Sequence, residues 1–368
     1  MINPEIRAEL IRNKMMKNRK YLIAKIEGSG QERDTNKILD AYFRYKNYIS
    51  GDTEYEKQLL EAPLQKVWSS KFLGLNEDLS KPFDEIKKLE FQNPAYSGAY
   101  RLHNKKGDPR NYNKVFAVQA SGCTFNCNYC YVPREINNAN PNFGQYFSAD
   151  EIVKHFLNVK QKSTESMNVI RLTGGEIPSI IPEMIIDVYN EMEKQNLDGV
   201  YLWVDTNLSI TKYLEKMEND LKEMMQKNVG VVGCFKGTCK EDFAKLTGTK
   251  PEFYKNQFEA AKLFLDWKTD FYVYLPALVY ENNIENKLRE FIERLQNVNK
   301  RLPLRTEMLI IKEYPGAKQN MEIYEKLGRP MPKTDQKTVF DLWYNKILPE
   351  IYSKKDLSKY CCEISLYE

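Results

Sequence analysis

Short apolar segments alternate with longer amphipathic segments between residue 115 and about residue 311. The apolar runs are rich in β-branched and aromatic residues, which favours strands, and the intervening segments have helical spacing. This alternation indicates strands joined by crossover helices, and therefore a parallel sheet of α/β class. The predicted strands are VFAVQAS, NVIRLTGG, GVYLWVDT, VGVVGCF, DFYVYLPALVY and LPLRTEMLII, and the predicted helices lie near 149–160, 182–195, 211–227, 254–267 and 284–298.

The predicted strands are almost continuously apolar, which is typical of a sheet covered on both faces or of a barrel or partial barrel covered outside. SADE and TKYLEK supply capping signals for two of the helices. In all these parallel architectures the active site lies at the C-terminal ends of the strands. We therefore look for chemistry in the residues that follow each apolar run.

The flanking segments have a different character. Residues 1–110 are polar and Lys-rich, with a predicted helix in DTNKILDAYFRYKNYISG that Asp34 or Thr35 can cap. Beyond residue 315 we expect a short helix, a second helix near 335–352 and a polar tail. These features predict a helical and loop extension over 1–110, a core over 111–315 and a mainly helical extension over 316–368.

Composition limits the class of protein. With 368 residues, 42% of them hydrophobic, the chain can bury a sizeable core. Its 55 basic and 51 acidic residues are interspersed, so the net charge of +4 does not indicate nucleic acid. No segment reaches the roughly 18 apolar residues of a membrane span, and the N-terminus is charged where a signal peptide is apolar. We expect a cytoplasmic protein without a membrane span.

The loop after the first predicted strand contains three of the seven cysteines, at the spacing C-x3-C-x2-C: Cys123, Cys127 and Cys130. Thiolates are soft ligands that suit iron-sulfur clusters or zinc. Three ligands leave one corner of such a site open to a substrate or cofactor, whereas structural zinc usually has four protein ligands. On spacing alone, zinc completed by a distant Cys or His remains an alternative.

With an aromatic residue just before its last cysteine, this loop resembles the cysteine motif of the radical S-adenosylmethionine (radical SAM) superfamily. LTGGEIP, after the second predicted strand, is similar to the Gly-Gly-Glu-Pro motif of that family, with Ile177 inserted before Pro178. Paired glycines let a ligand approach the backbone, and a carboxylate can receive a cationic amine. The resemblance implies cofactor contacts for Tyr129, Gly174, Gly175 and Glu176.

VDTNLSI and CFKGTCKEDFAKLTG, at the ends of the third and fourth predicted strands, resemble segments of the glycyl-radical-enzyme activating enzymes that contain Asp-Thr-Asn-Gly and Asp-Leu-Lys. This likeness implies a catalytic or substrate-site cation at Lys236. Leu208 stands where a glycine is expected, and Cys234 where an aspartate helps to hold a monovalent cation. The structural alternatives are a solvated lysine at Lys236 and a helix cap or loop turn at Asp205, Thr206 and Asn207. The likeness also implies cofactor contacts for Asp205, Thr206 and Asn207.

The resemblance covers about residues 115–315 and implies a partial (β/α)6 TIM-like barrel. In this superfamily three cysteines bind a 4Fe-4S cluster, and S-adenosylmethionine chelates its fourth iron. An external electron donor of flavodoxin or ferredoxin type then drives cleavage to methionine and a 5′-deoxyadenosyl radical, which abstracts hydrogen from the substrate. The protein has to position the cofactor, exclude water and aim the radical.

The reaction class, oxidoreductase or transferase, depends on the substrate. The likeness to activating enzymes favours a protein or peptide, and RNA, a lipid or a small metabolite are alternatives. From a different class, the chain could be a non-catalytic zinc- or iron-sulfur-binding interaction module. The remaining cysteines lack the compact spacing of an auxiliary cluster, so we expect packing or incidental thiols at Cys234, Cys239, Cys361 and Cys362.

Overall fold

The computed structural model describes residues 1–25, 43–47, 114–162, 167–311, 315–357 and 364–367. The described residues form one ten-stranded sheet. Its strands are β1 Met16–Lys17, β2 Lys20–Ala24, β3 Phe43–Asn47, β4 Lys114–Ala120, β5 Gly144–Phe147, β6 Met167–Gly174, β7 Tyr201–Thr206, β8 Val229–Cys234, β9 Asp270–Pro276 and β10 Thr306–Leu309.

Parallel strands make up the centre of the sheet, in the order β4-β6-β7-β8-β9-β10. Each follows its neighbour along the chain, as expected for strands joined by crossover helices. In the described part of the chain β10 does not pair with β4, so the sheet is curved but open. This architecture is a partial TIM-like barrel of α/β class, as the sequence predicted.

Antiparallel strands extend the sheet beyond β4. Strand β2 pairs with β4 through Ile23 and Ala120, and it also pairs with β1 and β5. Strand β3 runs antiparallel to β4. The helix predicted from residue 34 to residue 51 is therefore wrong for Phe43–Asn47, because main-chain pairing with β4 determines the conformation there. The rest of that predicted helix lies outside the described residues.

The helices are α1 Pro4–Met15, α2 Arg134–Asn137, α3 Ala149–Lys162, α4 Glu183–Lys194, α5 Lys212–Lys216, α6 Glu218–Met225, α7 Lys240–Thr247, α8 Asn256–Asp266, α9 Ile284–Val298, α10 Pro315–Lys326, α11 Gln336–Asp341, α12 Leu348–Ile351 and α13 Lys354–Leu357. A π-helical stretch, Leu342–Ile347, joins α11 to α12. In the described segments, none of these helices has both the length and the apolar character needed to cross a membrane.

Alternate residues of each parallel strand face opposite sides of the sheet. On β7, Leu202 and Val204 join the main hydrophobic core, which includes the buried faces of α4 and α9. Their neighbours Trp203 and Asp205 lie on the other side, which we call the inner face of the barrel. Burial of a leucine or valine contributes about 2 kcal/mol, so this packing fixes the orientation of the inner-face residues.

A polar cluster occupies the inner face near the start of β9. The Asp270 carboxylate accepts hydrogen bonds from Tyr201 Oη at 2.6 Å and from Arg305 Nη1 at 2.6 Å. The Arg305 guanidinium lies 4.6 Å from the centroid of the Tyr272 ring. The Trp203 ring stacks on the Tyr272 ring, with their centroids 5.9 Å apart. The buried charges of Asp270 and Arg305 are therefore paired with each other.

All six predicted central strands are confirmed, with the sixth shortened because residues 302–305 form a 3-10 turn. The helix predicted over 211–227 divides into α5 and α6, and α1 and α7 were not predicted. The SADE cap is confirmed, since the Glu151 carboxylate accepts from Ser148 N and Oγ. Thr211 is the N-cap residue of α5, as TKYLEK predicted, but its side chain makes no capping hydrogen bond.

Candidate active site

The cysteine loop, residues 121–130, leaves β4 at the C-terminal edge of the parallel sheet. Its backbone rests on the last turn of α7, where Asn126 N donates to Thr247 O at 3.1 Å and Asn128 N to Leu246 O at 2.9 Å. On the other side Cys123 N donates to Asn137 O at 2.9 Å. The loop is thus fixed by main-chain hydrogen bonds between two helix ends, and its three cysteines lie at the edge where the active site was predicted.

The three thiols share an enclosed environment. Burial raises the pKa of Cys123 to about 12 and that of Cys127 to about 11, and it also raises the pKa of Cys130. The negative charge of Cys127 and of Cys130 would raise the pKa of Cys123 further, so the thiols lie close enough to interact. Burial outweighs the positive charge of Lys236 at Cys127 and Cys130, so all three thiols are protonated at neutral pH. A metal centre that binds here must displace their protons.

Hydrogen-bond donors point at two of the sulfurs. Asn207 Nδ2 lies 3.4 Å from Cys123 Sγ. Val132 N lies 3.4 Å and Asn137 Nδ2 3.7 Å from Cys130 Sγ. Donors of this kind stabilise thiolate ligands and tune the potential of iron-sulfur clusters.

The chemistry of the cysteine loop suits a metal cluster. Thiolates are soft ligands for iron-sulfur clusters, whose cysteines bind different irons. Among the described residues, no three His, Cys, Asp or Glu side chains are arranged to hold one metal ion. The three thiols lie close enough to interact, so they fit a 4Fe-4S cluster by their chemistry, and its binding through Cys123, Cys127 and Cys130 stays a prediction.

Glu176 links the loops that follow β6 and β7. Its buried carboxylate accepts from Ser179 N at 2.9 Å, from Thr206 Oγ1 at 2.7 Å and from Asn207 N. Burial raises the pKa of Glu176, and these donors oppose the shift. In this arrangement the carboxylate organises the site, and the predicted role of Glu176 in receiving a cofactor amine stays a prediction.

The glycines before Glu176 bring this loop against the cysteine loop. Gly175 N donates to Ala120 O at 2.8 Å, and Glu176 N donates to Gly122 O at 2.7 Å. A Cβ atom on Gly175 would lie 2.2 Å from Gly122 O, so a side chain there would push the two loops apart. Gly174 has a φ of +92°, which favours glycine. The two predicted glycines thus allow a close approach between backbones.

The residues that follow β7 point to two different places. Asn207 faces the cysteine loop, where its Nδ2 also donates to Thr124 Oγ1 at 2.9 Å. Asp205 lies on the inner face and accepts from Arg171 Nη2 at 2.7 Å and from Trp203 Nε1 at 2.6 Å. Asn207 therefore belongs with the cysteines, whereas Asp205 belongs to the wall of the barrel. Their predicted cofactor contacts, and that of Thr206, stay predictions.

Lys236 follows β8 and extends towards the cysteine loop. Its Nζ atom lies 5.9 Å from the centroid of the Tyr129 ring, a cation-π distance. Burial alone would lower the pKa of Lys236, but the Tyr129 oxygen and the thiols of Cys234, Cys127 and Cys123 outweigh burial and raise it. Lys236 is thus a fixed positive charge among the thiols, so it suits an electrostatic role better than proton transfer.

Three residues outside the central barrel hold the cysteine loop, and sequence reasoning missed them. Arg7 of α1 donates from Nε to Cys123 O at 2.7 Å. Asn320 of α10 donates from Nδ2 to Cys130 O at 2.7 Å. Arg329, after α10, donates from Nη2 to Asn126 O at 2.9 Å. Each bond joins positions far apart along the chain, so no local pattern could have indicated it.

The other cysteines lie elsewhere. Cys234 ends β8 on the inner face, where Asp205 and Arg171 influence its charge. Cys239 lines a separate groove of about 400 Å³ together with Asp242 and Lys287, whose charges are paired at 2.9 Å. Cys361 and Cys362 lie outside the described residues, so the predicted absence of an auxiliary cluster stays a prediction.

Comparison with known proteins supports the family suggested by the motifs. Residues 119–298 match the family model described as the Radical SAM superfamily. No curated protein was found to match the chain. The matched region begins at the end of β4, contains the cysteine loop and ends at the last residue of α9, so it includes four complete parallel strands, β6 to β9. Residues 119–298 of this chain are thus similar to the Radical SAM superfamily, a superfamily of enzymes.

Proposed function

We propose that this protein is a radical SAM enzyme in which Cys123, Cys127 and Cys130 hold a 4Fe-4S cluster and S-adenosylmethionine binds at its open corner. The observation that carries the proposal is the cysteine loop itself, with three interacting, enclosed thiols at the C-terminal edge of the parallel sheet. When bound and reduced, the cluster supplies the electron that cleaves S-adenosylmethionine, and the resulting 5′-deoxyadenosyl radical abstracts hydrogen from the substrate.

The surrounding residues have the properties that this chemistry requires. Hydrogen bonds from Asn207, Val132 and Asn137 favour the thiolate forms of Cys123 and Cys130. Lys236 adds a positive charge next to the thiols, which offsets the negative charge that accumulates when a cluster is bound and reduced. Tight packing of the two loops at Gly175 fixes the cysteine loop against the loop that carries Glu176.

The inner face of the barrel is the proposed substrate site. It leads away from the cysteine loop and presents Thr173, Asp205 and Cys234, which keep some accessible surface. A protein or peptide substrate, as in activating enzymes, is the first candidate. The likeness of the β7 and β8 ends to those enzymes supports it, although Leu208 and Cys234 depart from their pattern.

The test is an anaerobic assay of 5′-deoxyadenosine formation by the iron- and sulfide-reconstituted protein with dithionite. We expect the wild type to form the product and Cys127→Ala to form none. Cys239→Ala, which removes a thiol from the separate groove, is the matched control and should retain activity. Zinc bound in place of iron, or equal product from Cys127→Ala, would contradict the proposal and favour a non-catalytic module.

A further inference from the structure

The inner face of β10 carries an acidic side chain that lacks a partner. Met308 packs in the main core, so Glu307, its neighbour, faces the barrel interior. Glu307 Oε2 is buried and has no hydrogen-bond partner. In the described part of the chain Glu307 forms no ion pair. The residue as a whole is half-buried, so Oε2 is the enclosed atom. A buried carboxylate oxygen without a partner is unfavourable, so it is rarely retained for stability alone.

Residues of the neighbouring strands β9 and β8 lie beside Glu307 on the inner face. Glu307 pairs in register with Tyr274 of β9, which pairs with Cys234 of β8. Across the barrel, the charge of Arg171 acts on Glu307. Arg171 is already engaged by Asp205, at 2.7 Å between Nη2 and Oδ2. The positive charge that acts on Glu307 is therefore shared with another carboxylate.

A second unpartnered group lies on β4, the first strand of the parallel series. Phe116, Val118 and Ala120 belong to the main core, so Gln119 lies on the inner face. It is only 3% exposed, and its Nε2 atom has no hydrogen-bond partner. The inner face thus offers an unmatched acceptor on Glu307 and an unmatched donor on Gln119. Unmatched buried polar groups of opposite character are typical of a site that a polar ligand completes.

We propose that Glu307 binds a protonated amine of the substrate inside the barrel. This inference rests on the proposed function, because it assigns the substrate class of that same site. A cation satisfies both the hydrogen-bonding capacity and the charge of the carboxylate, which a neutral donor does not. Burial raises the pKa of Glu307 to about 8, so in the free protein the carboxyl keeps its proton until the solution is mildly alkaline or a cation enters. Gln119 selects a substrate with an acceptor group as well.

The experiment measures binding of n-butylammonium to the reconstituted protein by isothermal titration calorimetry, with n-butanol and butyrate as neutral and anionic analogues. At about pH 8.5 the Glu307 carboxyl is largely ionised and an alkyl amine, with a pKa near that of lysine, is still protonated. We expect the amine to bind and both analogues to bind at least about tenfold more weakly, as a charge-assisted hydrogen bond requires.

Variants then locate the binding site. Glu307→Gln should weaken amine binding about tenfold and abolish the preference over n-butanol, whereas Glu307→Asp should keep the preference. Glu241→Gln, at an exposed rim glutamate whose side chain is 60% accessible, is the control and should bind like the wild type. Equal amine affinity in Glu307→Gln, equal affinity for the three probes, or no binding by the wild type would overturn the inference.

Binding needs neither S-adenosylmethionine nor a radical step. Amine binding through Glu307 without formation of 5′-deoxyadenosine would therefore sink only the enzyme proposal. Product formation without amine selectivity would sink only the inference about Glu307.

Discussion

Leu208 adopts a left-handed backbone conformation, with a φ of +58°, and its side chain is fully buried. A non-glycine residue pays about 1–2 kcal/mol for this conformation, whereas truncating a buried leucine costs about 2–5 kcal/mol. Packing therefore outweighs strain, which explains how leucine can occupy a position where the Asp-Thr-Asn-Gly pattern has glycine. Leu208 Cδ1 would lie 2.7 Å from a Cβ on Gly233, so the side chain fills space that this glycine leaves.

The two contributions can be separated by substitution. We expect Leu208→Ala to lower the free energy of unfolding by about 3 kcal/mol, and Leu208→Gly to lower it by about 1 kcal/mol less, because glycine relieves the strain. At Leu202, a buried leucine without positive φ, the order should reverse, with glycine worse than alanine. Denaturant unfolding of the four variants measures this, and the same order at both positions would contradict the strain argument.

Glu307 makes the stability of the protein depend on pH. Its carboxyl is protonated up to a pKa of about 8 in the folded protein, compared with an ordinary value of 4.5 in the unfolded chain. Between these values the folded state binds the extra proton, so the free energy of unfolding falls as the pH rises, by at most about 1.4 kcal/mol per pH unit. Above pH 8 the contribution levels off.

Glu307→Gln should remove this dependence. Its unfolding free energy should fall less steeply than that of the wild type between about pH 5 and pH 8, and the variant should be the more stable protein near pH 8. Denaturant unfolding at intervals across this range measures the difference between the two proteins. Parallel curves would show that Glu307 is not in the enclosed environment described above.

At the scale of elements, the contact between the loops after β4 and β6 organises the site. Gly175→Ala would place a Cβ 2.2 Å from Gly122 O, a backbone atom that moves only if the cysteine loop moves. We expect a loss of about 2–3 kcal/mol in unfolding free energy and much weaker iron retention. Gly328→Ala is the control: its φ of +76° is strained in alanine, but nothing lies within 4 Å. It should lose about 1 kcal/mol and retain iron.

The sequence predicted the elements of the barrel because their patterns are local. Apolar β-branched runs identify strands such as β6, and the helix predicted over 284–298 coincides with α9. Helix α7 was missed because it has just two turns between loop signals, and β3 because its pairing with β4 is a contact distant along the chain. Residue spacing also identified the cysteines, which are close in sequence.

The site residues that the sequence did not reveal depend on the third dimension. Glu307 reads as an ordinary polar residue in LRTEML, and only the register with Tyr274 and the packing of Met308 turn it to the interior. Arg7 lies in a charged segment with no visible pattern of function. Glu176 was recognised through its motif, but its bonds to Thr206 and Asn207 follow from the juxtaposition of two strand ends.

At the scale of the whole molecule, segments outside the family match hold the cysteine loop from both sides. Helix α1 contributes Arg7, and the region from α10 onwards contributes Asn320 and Arg329. Asn320 is 3% exposed and donates to Cys130 O and to Val132 O, at 2.7 and 3.0 Å. The flanking segments thus form part of the site, because they fix the backbone that carries the ligands.

Removing one of these contacts should weaken the loop. Asn320→Leu leaves Cys130 O without its donor and removes one of the two side-chain donors to Val132 O, the other being Asn137 Nδ2. We therefore expect a loss of about 2 kcal/mol in unfolding free energy and faster release of iron during gel filtration. Asn345→Leu removes an exposed amide that is hydrogen-bonded to Asp341. It should change the free energy of unfolding by no more than about 0.5 kcal/mol and should leave the release of iron unchanged. Similar behaviour of the two variants would argue that the flanking segments do not support the loop.

The central claim is that Cys123, Cys127 and Cys130 hold a cluster with one open corner. Electron paramagnetic resonance of the reduced, reconstituted protein tests it most directly, combined with iron analysis and recorded with and without S-adenosylmethionine. We expect about four irons per chain, a reduced-cluster spectrum that changes when S-adenosylmethionine is added, and loss of both in Cys123→Ala. A spectrum that S-adenosylmethionine leaves unchanged, or iron binding that survives Cys123→Ala, would contradict the claim.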